Sequence, residues 1–291
     1  MPVSMARFLA AVSMTLIVAG CSRNVDTAPP VATPEVVLAR PEVVVGGPIE
    51  LKYRFTVAPD APPFADDYWV FVHFLDTDGE LMWTDDHPPP TPTKSWKAGQ
   101  AIEYERTIFV PRFPYVGDTS IEVGLFSRAS GARLPLQGES RGQRAYKVAS
   151  FNLQLQGESL FVIFKEGWHP TEQAEAGREW QWSKKEGILA FRNPKRDVML
   201  YLDVDRPGGF SEPQQVEVRL GDTVIDSFSL ASNQASLRKI ALTPAQLGGS
   251  DTTEVRIFVD RTFVPATMPE MDSRDSRELG VRVFRAFVEP K

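Results

Sequence analysis

Apolar and polar residues alternate along most of the chain, which is the pattern of half-buried β-strands. In "PIELKYRFTV", residues 48–57, every second side chain from Ile49 to Val57 is apolar or aromatic and the others are polar. In "YWVFVHFL", residues 68–75, both sets of positions are apolar apart from one histidine, as in a central strand. The turn residues "DTDG" and then "ELMW" follow, so the sequence predicts a β-hairpin here.

Similar strand patterns recur along the whole chain, with turn residues between them. They cover residues 101–110, 120–126, 145–156, 160–164, 179–183, 187–191, 198–204, 215–220, 223–230, 237–242, 254–260 and 281–289. Only "TPAQLG", residues 243–248, suggests one helical turn. Short strands without intervening helices exclude an α/β nucleotide-binding fold. We therefore predict an all-β fold with two antiparallel β-sandwich domains in tandem, Ig-like or jelly-roll-like, at 36–157 and 158–291.

The first 21 residues have the features of an export signal. Arg7 precedes a short apolar run, and "VAGC" at 18–21 ends it with small residues before a cysteine. This arrangement resembles the lipobox of bacterial lipoproteins. The resemblance implies cleavage before Cys21, acylation of Cys21 (with palmitate among the chains attached) and anchoring in a membrane. Ser22 in place of aspartate implies the outer membrane, with the protein facing the periplasm; residues 22–35, rich in proline, are predicted to form a flexible tether.

Composition narrows the possible partners. The 38 acidic and 32 basic residues give a net charge of −6, and no basic stripe with interleaved aromatic residues appears, so we expect no nucleic-acid partner. The single cysteine allows no disulfide within the chain, so stability has to come from buried apolar surface.

Several recognisable catalytic motifs are absent from the sequence. HExxH, GxGxxG and a phosphate-binding loop do not occur, and only three histidines are present. We predict no catalytic residue, no cofactor and no metal. The run "TDDH" at 84–87 is the nearest approach to a metal site, but neighbouring residues of an extended chain point to opposite sides. We therefore interpret it as a polar loop.

Three tryptophans fall within "GWHPTEQAEAGREWQWS", residues 167–183. Trp180 and Trp182 alternate with polar residues and are predicted to be core residues of a half-buried strand, with "KKEG" turning into "ILAF" as a hairpin. Trp168 lies outside any alternation, and Pro170 favours an extended conformation at His169. Trp168 and His169 are therefore candidate ligand-binding residues, since indoles stack on sugar faces as well as filling cores.

A second candidate lies in "RDSRELG", residues 274–280, where the charges alternate in sign. Asp275 and Arg277 have two open interpretations. They form either a salt-bridged loop that fixes the last strand or a pair that hydrogen-bonds polar ligand groups such as sugar hydroxyls.

Two long segments resemble known modules. "YWVFVHFLDTDGELMWTDDHPPPTPTKSWKAGQAIEYERTIFVP" with "EVGLFSRASGARLPL" resembles a β-sandwich module of bacterial envelope proteins. The second half, from "GWHPTE" through "WQWSKKEGILAFRNPKRDV" to "FVPATMPEMDSRDSRELGVRV", is similar to a module attached to bacterial membrane glycosyltransferases and to related lipoproteins. The resemblance implies β-sandwiches and a link with envelope glycans, and it supplies no catalytic residue.

Two main hypotheses remain open from the sequence. The first is a non-catalytic, membrane-anchored lipoprotein that acts as a structural or interaction module with an envelope protein partner; it predicts an exposed apolar patch or a free sheet edge. The second is a glycan-binding lipoprotein that uses Trp168, His169 and the loop around Arg277. A hydrolase with an unrecognised site is a third, weaker hypothesis.

Overall fold

The computed structural model describes residues 27–111, 115–157, 161–174, 178–206, 208, 212–231, 233 and 235–291. The predicted signal peptide, Cys21 and the first residues of the predicted tether lie outside this part of the chain. No helix within the described ranges is both long and apolar enough to cross a membrane. Strands dominate the described residues, and the predicted all-β sandwich fold is confirmed.

The first half of the chain forms two facing sheets. Its strands are β1 (Ala32–Leu38), β2 (Glu42–Val44), β3 (Pro48–Val57), β4 (Trp69–Leu75), β5 (Leu81–Thr84), β6 (Ala101–Phe109), β7 (Gly117–Phe126), β8 (Glu139–Gly142) and β9 (Ala145–Gln154). One sheet has the order β1-β3-β6, and the other has the order β2-β9-β7-β4-β5 with β8 paired to β9. All of these pairs are antiparallel except β2–β9, which is parallel. The predicted β4–β5 hairpin is present.

The core of this first sandwich fills the space between its two sheets. Alternate residues of β3, from Ile49 to Val57, are almost completely buried and meet the inward side chains of β4, such as Val72 and Phe74. Fully burying side chains of this size contributes roughly 1.5–3 kcal/mol each relative to exposure. The period-two pattern of the sequence therefore corresponds directly to one buried and one outward face per strand.

The second half forms another pair of facing sheets. Its strands are β10 (Ile163–Phe164), β11 (Glu172–Gln173), β12 (Glu179–Trp182), β13 (Glu186–Arg192), β14 (Val198–Asp205), β15 (Gln214–Leu220), β16 (Thr223–Leu230), β17 (Ala235–Leu242), β18 (Thr252–Val259) and β19 (Arg282–Pro290). The sheets have the orders β10-β13-β18-β15-β16 and β11-β12-β19-β14-β17. Their inward side chains form a core that is separate from that of the first sandwich.

Short helical turns complete the described structure. The predicted turn is helix α1 (Pro244–Leu247), where the Thr243 hydroxyl accepts from the Gln246 backbone N–H and the Gln246 side chain returns to the Thr243 N–H. Three turns of 3₁₀-helix cover Thr93–Ser95, Pro265–Thr267 and Pro269–Met271. Thr243 with Gln246 forms a capping box, which stabilises a helix too short to persist alone.

The predicted tether is too long at its C-terminal end. Residues 32–35 belong to β1 and pair with β3, from Ala32 opposite Val57 to Glu35 opposite Arg54. Pro34 suggested an unstructured segment, but β1 is the outermost strand of its sheet, where the missing N–H of a proline is tolerated. The prediction of a domain boundary near residue 157 is not tested by these observations.

The hairpin predicted across "KKEG" is wrong. β12 pairs with β11 and β19, whereas β13 pairs with β10 and β18 in the other sheet of the second sandwich. The chain crosses from one sheet to the other at residues 183–185 instead of folding back. The alternation of apolar residues predicts each strand but carries no information on which strand is its partner.

Candidate functional site

Three of the four candidate ligand residues lie together at one end of the second sandwich. The Arg277 guanidinium donates to both carboxylate oxygens of Asp275 at 2.7–3.1 Å and to Glu172 at 2.7 Å. His169 approaches the same loop, and its Nε2 donates to the backbone carbonyl of Glu278 at 2.8 Å. We call these five residues the Arg277 clamp.

Within the Arg277 clamp, the positive charge of Arg277 is compensated by the carboxylates of Asp275 and Glu172. Hydrogen bonds and charge from Arg277 lower the pKa of the Asp275 carboxyl, and the Asp275 and Glu172 carboxylates raise the pKa of Arg277. All three nitrogens of the Arg277 side chain are bonded to carboxylates of the chain itself. The arrangement therefore suits a loop that fixes the entry to β19, and it offers a ligand few donors.

Trp168 makes contacts that are separate from those of His169. Its indole is half-buried, its Nε1 donates to the carbonyl of Ile188 at 2.9 Å, and it packs edge-on against Phe164 at 4.8 Å. Gly187 faces the indole closely, since a Cβ there would lie 2.6 Å from the ring. Trp168 thus packs at the margin of the core. Its indole N–H is already bonded to Ile188, so it offers no free hydrogen-bond donor for the predicted ligand role.

Trp180 and Trp182 lie on a small apolar cluster beside the main core. Trp182 is buried and meets Phe263 at 5.7 Å, while Trp180 is half-buried. The Arg282 guanidinium lies over both indoles, at 5.1 and 5.6 Å, and forms a bidentate pair with Asp205 at 2.7 Å. The ring faces that would stack on a sugar are therefore partly covered by an arginine that already has its carboxylate.

The "TDDH" run distributes its side chains in different directions, as adjacent extended residues should. Asp85 forms a bidentate pair with Arg106 at 2.6–2.8 Å, and Asp86 accepts from the backbone of Val72. His87 is buried: Nδ1 donates to the Asp85 carbonyl and Nε2 accepts from the Tyr104 hydroxyl at 2.8 Å. Burial lowers the pKa of His87. Across the described ranges no group of three potential metal ligands converges.

The outer surface of the six-stranded sheet in the first sandwich carries a group of polar side chains. A cavity of about 800 Å³ lies over it. Its floor comes from positions of β7 and β9 that pair across the two strands: Asp118, Ser120, Glu122, Lys147, Ser150 and Asn152. We call these six residues the polar face. It combines carboxylates, hydroxyls, an amide and an ammonium group on a rigid sheet.

Strand alternation explains why the polar face exists. On β7 the residues Thr119, Ile121 and Val123 point into the core, so the residues between them point outward. Cross-strand pairing then places Asp118 beside Asn152, whose side-chain amide donates to the Asp118 carboxylate at 3.0 Å. The face is thus fixed by the register of the sheet.

Glu122 and Lys147 form the row at one end of the polar face. The strand neighbours of Glu122 are His73 on β4 and Lys147 on β9. Partial burial raises the pKa of Glu122, while the charges of Arg141 and Lys147 oppose this rise. Burial also lowers the pKa of His73. His73, Glu122 and Lys147 therefore place hydrogen-bond donors and acceptors side by side on three neighbouring strands.

A second cavity, of about 1080 Å³, adjoins the hairpin of β8 and β9. We call it the arginine pocket, because its walls carry Arg133, Arg141 and Arg144. None of the described residues that line it is a carboxylate. Arg141 lines both cavities, so the arginine pocket and the polar face adjoin at this residue.

The β8–β9 turn that shapes this pocket has an unusual backbone. Gln143 and Arg144 both have positive φ, at 48° and 56°, and within the described ranges no other adjacent pair of non-glycine residues does. Positive φ at both central positions marks a type I′ turn, which normally contains Asn-Gly. Larger residues there cost roughly 1–2 kcal/mol each. Such strain is concentrated at functional sites.

Sequence reasoning missed both the polar face and the arginine pocket. "ESRG", the sequence of β8, has no apolar residue and so gives no strand pattern. The available signal was the concentration of Arg133, Arg141 and Arg144 within twelve residues of an acidic chain. Their convergence on one cavity depends on the turn geometry, which the pattern of residues did not reveal.

The chain matches no protein-family model and no curated protein sequence. Similar solved structures include the C-terminal CBM6 of the marine laminarinase LamC from Zobellia galactanivorans, with 11% identity, 45% of this chain and 99% of that chain covered, and a TM-score of 0.27. SGBP-B from a xyloglucan utilization locus in Bacteroides uniformis gives 11% identity, coverage of 90% and 74%, and a TM-score of 0.31.

The alkylpurine DNA glycosylase AlkC from Pseudomonas fluorescens gives 15% identity and a TM-score of 0.29; 44% of this chain is covered, and the chain spans only 31% of that protein. Carbohydrate-binding modules are among the structural neighbours of the chain, but the similarity is low in every case, so the function has to be argued from its own residues.

Proposed function

We propose that this chain is a non-catalytic, lipid-anchored envelope protein that binds a glycan on the polar face of its first sandwich. The observation that carries the proposal is the composition of that face. Within one cavity, carboxylates, hydroxyls, an amide and an ammonium group alternate along two neighbouring strands.

Sugars present closely spaced hydroxyl groups, each of which donates and accepts hydrogen bonds. The Asp118 and Asn152 side chains, already joined at 3.0 Å, provide an acceptor and a donor at one end of the face. Ser120 and Ser150 lie opposite each other in the next outward row and supply hydroxyls. Because these residues lie on strands, the face is held close to one geometry and loses little entropy on binding.

Isothermal titration calorimetry of acyl-free protein against oligosaccharides selected on a glycan array tests the proposal. We expect the double variant Ser120→Ala with Ser150→Ala to bind roughly tenfold or more weakly, because each lost hydrogen bond contributes about 0.5–1.5 kcal/mol. Ser227→Ala with Ser229→Ala on β16 of the second sandwich is the matched control and should bind normally. Wild-type protein that binds no glycan across a broad array would refute the proposal.

The anchor at Cys21 and the outer-membrane location are parts of the same proposal. Metabolic labelling with palmitate should mark the wild-type protein and leave Cys21→Ser unlabelled, and the labelled form should fractionate with outer membranes. Labelling that persists in the Cys21→Ser variant would contradict the anchor.

A specific observation also favours a second candidate, an assembly module. Leu155, just after β9, and Phe161 and Ile163, at the start of the second sandwich, are 75%, 51% and 61% exposed. Exposed large apolar side chains are typical of protein contacts when they form a patch. Sedimentation velocity should then show concentration-dependent association that Phe161→Ser with Ile163→Ser abolishes. A monomer at all concentrations would count against self-assembly.

A further inference from the structure

We infer that the arginine pocket is a subsite for an anionic group, a carboxylate or a phosphate, carried by the glycan that the polar face holds. This inference rests on the proposed function and makes it more specific, because it selects acidic glycans over neutral ones.

The charge of the pocket is opposite to that of the chain. The whole protein has a net charge of −6, yet the pocket wall contains three arginines and no carboxylate among its described residues. Guanidinium groups match carboxylate and phosphate geometry through paired N–H donors. A concave site with low-dielectric walls also concentrates the field of its charges.

Arg133 is held differently from several arginines elsewhere in the molecule. Arg238 forms a bidentate pair with Asp226 at 2.8 Å, as Arg106 does with Asp85 and Arg282 with Asp205. By contrast, the bonds that orient Arg133 are to the carbonyl of Gln143, at 2.8 Å, and to an aromatic ring. Those partners hold the Arg133 side chain in place without neutralising its charge.

The chain builds a specific support for Arg133. The guanidinium lies 4.3 Å from the centre of the Phe71 ring, and this ring occupies space that Gly124 leaves open on β7. A Cβ at Gly124 would lie 2.3 Å from the Phe71 ring and 2.6 Å from the Arg144 carbonyl. Gly124 thus allows both the stacking ring and the backbone of the strained turn to approach the sheet.

The strained turn between β8 and β9 places a second arginine in the pocket. Its left-handed backbone at Gln143 and Arg144 places the Arg144 side chain on the pocket wall, where it donates to the carbonyl of Arg133. Glycine at position 144 would remove the strain but also the guanidinium. The backbone strain at position 144, which costs stability, therefore occurs where the arginine side chain lies in the pocket.

Arg141 connects the pocket with the polar face. It pairs with Glu139 at 2.7 Å, but both side chains are well exposed, at 44% and 61%. Exposed pairs of this kind contribute about 0–1 kcal/mol, so a ligand anion displaces Glu139 at little cost. A glycan lying along the polar face would then place a substituent beyond Arg141 within the pocket.

Calorimetry with matched neutral and uronate-containing oligosaccharides tests the inference. The acidic ligand should bind about tenfold to a hundredfold more weakly to Arg144→Gln and to Arg141→Gln than to wild type, because charge-assisted hydrogen bonds contribute about 1.5–3 kcal/mol. Binding of the neutral ligand to Arg144→Gln should not change, because Arg144 does not line the polar face. Arg256→Gln, an exposed residue of β18, is the matched control. Added salt should weaken binding of the acidic ligand alone.

The outcomes separate the inference from the proposed function. Equal affinity of wild type for acidic and neutral ligands, or equal losses for both in Arg144→Gln, would overturn the subsite and leave the polar face intact. If no oligosaccharide binds, glucuronate and inorganic phosphate alone still probe the pocket. Binding to vesicles of an anionic phospholipid, without binding to acidic oligosaccharides, would assign the anion to a lipid headgroup and overturn the glycan source.

Discussion

The arginine pocket and the Arg277 clamp are built from similar residues to opposite effect. In the clamp, Arg277 is bonded to Asp275 and Glu172, so its charge is neutralised within the chain. In the pocket, Arg133 is held by a carbonyl and a ring, and its charge is retained. The comparison shows that the charge of an arginine is available to a ligand only where carboxylates of the chain do not already compensate it.

The largest expected effect that tests this comparison is that of Trp168→Ala. Because the indole packs against the second core, we expect a loss of about 2–4 kcal/mol of unfolding free energy, measured by urea denaturation, with glycan affinity unchanged. Trp168→Phe should recover part of the stability. Normal stability with lost glycan binding would instead transfer the ligand site to the second sandwich.

Arg277→Met should have the next largest effect. It removes bonds to two carboxylates that are about one third exposed, so we expect a loss of about 1–2 kcal/mol after allowing for solvent screening. Arg141→Met, whose pair with Glu139 is more exposed, should change stability by less than about 0.5 kcal/mol. Chemical denaturation of both variants measures the difference, and equal effects would remove the distinction between the two arginines.

Arg144→Gly tests the strain in the turn. We expect a gain of up to about 1 kcal/mol in unfolding free energy, together with weaker binding of acidic oligosaccharide. Lys195→Gly is the control, since Lys195 also has a positive φ and donates to backbone carbonyls. It should alter stability similarly and leave binding unchanged. A clear loss of stability in Arg144→Gly would show that this arginine is a structural tie.

The smallest expected effect belongs to Glu122→Gln. Burial raises the pKa of Glu122 in the folded protein, so its contribution to stability is fully present below the unfolded-state pKa and is lost as pH rises through the folded-state value. The variant should therefore match wild type near pH 3.5 and exceed it at pH 7 by less than about 1 kcal/mol. Denaturation curves across this pH range measure the effect; greater stability of wild type at pH 7 would contradict it.

The sequence predicted the long strands because their side chains alternate between core and solvent. β3 was predicted with its observed bounds, and the neighbouring β4 within one residue. β8 was missed because its four residues are all exposed, and it is held only by pairing with β9. β1 was missed because Pro34 obscured an edge strand, although its alternate residues are buried. Alternation detects burial, and β8 contributes none of it.

The candidate site was less predictable than the fold. The isolation of Trp168 from any alternation was correctly noticed, but the Ile188 carbonyl that binds its indole lies twenty residues away. Likewise, the pocket depends on the φ angles of Gln143 and Arg144, which their residue types disfavour. Sites made by distant backbone groups and strained turns follow from tertiary packing, which local patterns do not encode.

The start of the described chain has a consequence for how the pocket would operate. Ala28 and Pro30 line the arginine pocket, and Cys21 precedes Ala28 by seven residues, a reach of at most about 25 Å. With the lipid anchor that we propose, the pocket would stay close to the membrane surface. An anion borne by that same surface would then be met at an effective concentration in the millimolar range, so a weak intrinsic affinity would suffice for nearly constant occupancy.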